Sequence, residues 1–236
     1  MRAAPLASLF YGVCFAAMGF ILYLVFSRAT QYITTFALGF MLVGPVLAIG
    51  LYALSRARSL EKSAGRAVQF LDSISAWREN PGAIGIYVLI LTIIFLVWAR
   101  TSLVTFALFE SGSMPSVASF LQYLTSFKNI EFTATLFAVG FVFAAFVFAI
   151  SCIAVPHLMD SRADAVTAAA LSVLACGRNP LLMTLWAGVI VVLIGIGLAT
   201  AFVGLIFTAP LIGHATWHAY QDLVPEPFVA VKSVQN

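Results

Sequence analysis

Charge is what this sequence has least of. Of 236 residues only 9% are Asp, Glu, Lys or Arg, and 62% are hydrophobic. A soluble domain carries about 25% charged residues. The chain therefore cannot face water on all sides, which excludes an ordinary soluble enzyme or binding domain. Lipid must be its solvent. Cysteine is scarce as well. Cys14, Cys152 and Cys176 form no Cys-x-x-Cys and no even-numbered set, so neither a disulfide scaffold nor a zinc site is indicated. The basic residues are few and flank apolar runs, with no dense basic tract among aromatics. That excludes nucleic acid as a partner. No phosphate loop, His-Glu-x-x-His or nucleophile–base pair stands out. The acidic residues Glu61, Asp72, Glu79, Glu110, Glu131, Asp160, Asp164, Asp222 and Glu226 all fall at the ends of apolar runs or in loops. Ion-coupled carriers usually need an ionisable group buried mid-membrane, so a coupled carrier is disfavoured while a path for a neutral solute stays open.

What the sequence does have is long apolar runs, over about 7–26, 32–54, 81–109, 132–156 and 180–222. The last is too long for one span: 43 residues of helix reach about 64 Å, against an apolar core of about 30 Å. The small residues of "GIGLATAFVG" (195–204) suit a turn, which divides it into about 181–199 and 202–222. The expected fold is an all-α polytopic membrane bundle of about six transmembrane helices in three hairpins, forming a single domain over 1–236. The first run follows Arg2 but is long for a signal peptide and lacks a convincing cleavage site, so it is expected to be retained. Inner segments would carry Arg2, Arg56, Arg58, Lys62, Arg66, Arg78, Arg162, Arg178 and Lys232, and outer loops only Arg28 and Lys128. That bias places both termini in the cytoplasm.

Two inner connections have helical apolar spacing, over about 58–78 and 161–178. Each is expected to lie in the membrane interface. Ser161 and Asp164 offer a capping box for the second. The two segments end alike, in Ser-x-x-Ala-x-x-x-Asn-Pro: Ser73, Ala76, Asn80 and Pro81, then Ser172, Ala175, Asn179 and Pro180. Asn is a preferred N-cap and Pro a preferred first helical residue, so each Asn-Pro reads as the start of a spanning helix, with a ligand role as the alternative. Gly39, Gly44, Gly50, Gly188, Gly195 and Gly204 are expected to permit close helix approach.

Few residues could carry chemistry. Arg100 is the one charge inside a spanning run, and about 28 Å of helix separates it from Pro81. It is expected to snorkel at the outer interface, or to pair with Glu110 or a partner protein. In "GHATWHAYQD" (213–222), His214, His218 and Asp222 recur at i, i+4 and i+8. Two histidines so spaced can chelate a metal, and His157 at the inner end of another helix could join them. The competing readings are an interfacial belt with Trp217 and Tyr220, or a buried polar tie between helices. No cofactor is otherwise expected, with metal or haem on the histidines as the alternative.

The stretch "GFMLVGPVLAIGLYALSR" (39–56), the two Asn-Pro starts and "GHATWHAY" (213–220) resemble a bacterial family of predicted integral membrane proteins of unknown function. Some members of that family carry labels likening them to cytochrome c oxidase subunit I. An oxidase core needs about twelve helices and six ligand histidines, whereas this chain has three histidines. The resemblance implies a fold and a bacterial inner-membrane setting, and no catalytic residues. The function expected is a non-catalytic accessory subunit or assembly factor, contacting lipids and other membrane subunits through Arg100 and Trp217, in a respiratory or other energy-transducing complex. A small-solute transporter or channel and a metal- or haem-binding protein are the alternatives.

Overall fold

The structure, a computed structural model, describes residues 5–28, 47–58, 70–109 and 130–224. These residues are helical, joined by short turns. The helices are α1 (Pro5–Arg28), α2 (47–58), α3 (Phe70–Ser75) running into a 3-10 turn (Ala76–Glu79), α4 (Pro81–Phe109), α5 (Ile130–Ser151), α6 (Ala154–Asp160), α7 (Ala165–Arg178), α8 (Pro180–Ala199) and α9 (Leu205–Leu223). Among them α1, α4, the α5–α6 pair and α8 are long and apolar enough to cross a membrane. That is four spans where six were expected. The second expected span lies partly outside the described residues, in 32–46. The sixth is a helix, α9, but His214, His218, Gln221 and Asp222 make its last turns too polar to reach the same apolarity.

The elements depart from the sequence reading where tertiary contacts intervene. The fourth span is not continuous. It breaks at Cys152 and Ile153 before α6 begins, and the Tyr87 hydroxyl donates to the Ile150 carbonyl and to Ser151 beside the break. Helix α7 begins at Ala165, with Asp164 rather than Ser161 as its cap. The Asp164 carboxylate accepts from the amides of Val166 and Thr167. Ser161 instead donates to the His157 carbonyl. Of the expected interfacial helix over 58–78, residues 59–69 lie outside the described residues.

Pro81 and Pro180 open α4 and α8, since a proline's missing amide costs nothing at the first helical position. The asparagines before them are non-helical, with φ of −146° and −131°, as residues before proline are pushed to be. Their side chains do not cap in the expected way. Asn179 makes no side-chain cap bond and donates weakly back to the Ala175 carbonyl, while Asn80 donates across the fold to another turn.

The turn between α8 and α9 falls at 200–204. It holds Ala201 and Phe202 at φ of 52° and 69°, a left-handed conformation that non-glycine residues rarely adopt.

Close helix approach uses two of the expected glycines, Gly50 and Gly204, and others besides, while Gly39 and Gly44 lie outside the described residues. A Cβ on Gly12 would strike the Ile206 carbonyl, one on Gly19 the Phe202 ring, and one on Gly213 the Leu51 side chain. Gly50 does approach a neighbour, the Tyr11 ring, and Gly204 lies against the Thr200 hydroxyl. Gly188 and Gly195 have nothing within 4 Å of an added Cβ among the described residues. Pro210 inside α9 has no amide to give the Ile206 carbonyl, and Gly12 brings the α1 backbone against that same oxygen.

The buried core gathers at one end of the bundle. It takes Ile84, Tyr87 and Val88 from the start of α4, Ile153 and Leu158 around α6, Ala168 and Ala175 from α7, and Trp217 and Tyr220 from the end of α9. At this end α1, α4 and α8 begin, and α2, α6 and α9 finish.

Candidate functional site

The polar side chains with chemical potential cluster at that same end. The repeated Ser-x-x-Ala shows why. Ser73, Ala76, Ser172 and Ala175 are all buried, because a spacing of three places both residues on one helix face. Ser73 donates to the Phe70 carbonyl and accepts from the Tyr11 hydroxyl of α1. Ser172 accepts from the Ile153 amide and contacts Cys152. Each copy thus docks a short helix onto a spanning helix. The repeat is an architectural unit used twice.

Between the two copies runs a chain of charged and polar groups. Arg56, near the end of α2, bonds Glu79 at 2.8 Å and Asp160 at 3.2 Å. Tyr220 donates to the other Asp160 oxygen at 3.3 Å. The Tyr220 oxygen also lies 3.2 Å from His157 Nδ1. Since the phenol proton goes to Asp160, Nδ1 carries the imidazole proton and donates. Asn80 then closes the node from the side. Its NH2 donates to the carbonyls of Leu158, Ser161 and Ala163 at 3.2, 3.4 and 3.0 Å. One amide from the first copy therefore holds the turn that leads into the second. This node joins α2, the 3-10 turn, α6 and α9.

A second tie lies further along α9. His214 Nε2 is 2.8 Å from Ser8 of α1, and Nδ1 is 2.6 Å from Ser55 of α2. Ser55 has its proton on the Leu51 carbonyl, so Nδ1 donates to Ser55 and Nε2 accepts from Ser8. A neutral imidazole satisfies both serines and fastens three helices.

These contacts settle where the expected site residues lie. His214 is tied inward, whereas His218 and Asp222 are exposed. The buried face of α9 is Gly213, Trp217 and Tyr220. His157 meets Tyr220 and not His218, which points away on the same helix. Among the described residues no three of His, Cys, Asp or Glu come together to hold a metal ion. Trp217 is a core residue at 1% exposure, so it is not a contact for an outside partner. Arg100 is exposed on α4, and Glu110 lies outside the described residues.

Two features had no motif to announce them. Cys152 and Cys176, at the α5–α6 break and near the end of α7, bring their sulfurs to 3.4 Å. The other is a cavity of about 660 Å³ between α1, α2, α8 and α9, walled by apolar and aromatic side chains. Among the described residues its walls hold no charged group.

Residues 33–160 match the sequence model of DUF2189, described as a predicted integral membrane protein. The match spans more than half of the chain, and the chain belongs to this family. It includes the first Asn-Pro and the Arg56–Glu79–Asp160 node, and stops short of Asn179-Pro180 and of residues 213–220. No curated protein and no solved structure matches the chain.

Proposed function

Taking membership of this integral membrane family as the premise, we propose that the chain is a non-catalytic accessory subunit or assembly factor of a membrane complex. The observation that carries the reading is α8. Only 11% of its apolar window is buried inside the chain, and Leu181, Leu185, Val189, Val191, Val192 and Ile196 are exposed around it. A spanning helix with so little of the described chain against it has surface to give to another subunit. The polar groups support the same reading. His157, His214, Arg56 and Asp160 are spent on ties between helices, which fix a shape rather than leaving a reactive group open.

The setting proposed is the bacterial inner membrane, with both termini in the cytoplasm, because nine basic residues flank the runs on one side and two on the other. The core end of the bundle is then cytoplasmic. Assignment to a respiratory or other energy-transducing complex rests on the resemblance alone. Arg100, exposed on α4, is the charged contact proposed for a partner. The apolar walls of the cavity favour no polar solute, and no arrangement among the described residues favours metal or haem.

The experiment is extraction of the tagged chain from native membranes in mild detergent, followed by native electrophoresis and mass spectrometry. Co-migration with a stoichiometric membrane partner supports the reading. Migration alone or as a small homo-oligomer overturns it.

A further inference from the structure

We propose that Cys152 and Cys176 form an oxidisable dithiol whose disulfide would pin α7 to the break between α5 and α6. The two sulfurs are 3.4 Å apart. A disulfide needs about 2.0 Å, so the sulfurs must close by about 1.4 Å. The surroundings favour the pairing. Cys152 sits in the non-helical break, where the backbone has freedom that a helix denies. Ser172, one turn before Cys176, lies 3.1 Å from the Cys152 sulfur and accepts the Ile153 amide. The two segments are therefore held in register before any covalent bond forms.

The exposures assign the order of events. Cys176 is half-buried and Cys152 is buried, so Cys176 meets the oxidant and Cys152 resolves. With a small disulfide such as oxidised glutathione, the Cys176 thiolate attacks one sulfur. The first glutathione leaves as a thiolate and takes the proton that Cys176 lost. The Cys152 thiolate then attacks Cys176 in the mixed disulfide. The second glutathione leaves and takes the remaining proton. Two thiols are oxidised, and one glutathione disulfide is reduced to two thiols.

Burial, then the neighbouring Cys152 sulfur, pushes the Cys176 thiol well above its ordinary value. Thiolate is scarce at neutral pH, so the exchange is slow there and responds to sustained oxidation rather than to brief exposure. In a reducing cytoplasm the pair rests as two thiols. Oxidation would act on the polar node directly, because α6, which starts just after Cys152, carries His157 and Asp160.

The test uses the full chain in mild detergent. The reduced protein is treated with oxidised glutathione, quenched in acid, denatured and labelled with a maleimide. Labels are counted by intact mass. Untreated protein takes three labels, matching its three cysteines. We expect one label after treatment, on Cys14, with no covalent dimer. The rate should rise about tenfold for each pH unit in the alkaline range. Cys14→Ser should lose two labels in the same way. Cys176→Ser, at a half-buried position that tolerates the change, should keep both of its labels or carry one glutathione. Three labels after prolonged treatment, covalent dimers, or label loss unchanged in Cys176→Ser would overturn the proposal.

Discussion

Gly12→Ala is the sharpest perturbation of the bundle. The added methyl would lie against the Ile206 carbonyl oxygen, with the Ile206 carbonyl carbon and Cα at 2.7 and 2.8 Å. Real Cβ contacts stay beyond 3.0 Å. The obstacle is backbone, which cannot rotate away as a side chain can, so α1 and α9 must part. Overpacking of this kind costs about 1–3 kcal/mol, and a backbone clash belongs at the upper end. Against this, Ala is the better helix former by about 1 kcal/mol. The net expectation is a loss of about 2 kcal/mol. Gly140→Ala is the matched control, because among the described residues nothing lies within 4 Å of its added methyl. It keeps the propensity gain without the clash. Reversible unfolding in mixed micelles, titrated with SDS and followed by tryptophan fluorescence, reads both variants. Equal midpoints for Gly12→Ala and Gly140→Ala would refute the close approach of α1 to α9.

Other expectations rest on single contacts. Asn80→Ala removes the donors to three carbonyls and should cost about 1–3 kcal/mol in the same assay, at about 1 kcal/mol per hydrogen bond. Asn179→Ala, losing one bond of 3.4 Å, should cost below about 0.5 kcal/mol, and equal losses would contradict the asymmetry between the copies. Ala201→Gly should stabilise by about 1 kcal/mol, since φ of 52° strains an L-residue; a destabilised variant would contradict the left-handed turn. The Asp164 carboxyl is held below its ordinary range by the Thr167 hydroxyl, then by the Thr167 amide. A lowered folded value means that the cap stabilises α7 at neutral pH and is lost as acid passes through that value. Hydrogen exchange at the amides of 166–168 should therefore lose protection in acid, and Thr167→Val should move that loss to higher pH. No shift in Thr167→Val would remove the hydroxyl from the account.

What the sequence discloses depends on how local the cause is. Pro81 and Pro180 announce helix starts because the missing amide acts on its own residue. The Ser-x-x-Ala copies disclose a shared face because three residues make almost one turn. Direction is another matter. His214 and His218 are equally plausible inward residues by periodicity, and only packing against Ser8, Ser55 and the core decides that α9 turns His214 in beside Gly213, Trp217 and Tyr220 and leaves His218 exposed. Gly12 and Gly19 stand seven apart on α1, and Gly188 and Gly195 stand seven apart on α8. The first pair meets α9 and its turn, while the second meets nothing among the described residues, so spacing could not separate them. Asn80 reads as a cap because caps are local; its real acceptors are 78–83 residues away. Cys152 and Cys176 escape notice for the same reason, since no motif spans a helix break and the helix that folds back over it.

The lengths of α4 and its partner α5 have a consequence for the bilayer. Helix α4 runs 29 residues without interruption, about 43 Å. Helix α5 stops after 22 residues, about 33 Å, where the break at Cys152 and Ile153 separates it from α6. Against a hydrocarbon core of about 30 Å, α5 matches and α4 overshoots. Arg100 is exposed about 28 Å along α4, so its snorkelling puts the outer headgroups there, and the last turns of α4, over 101–109, stand among or beyond those headgroups.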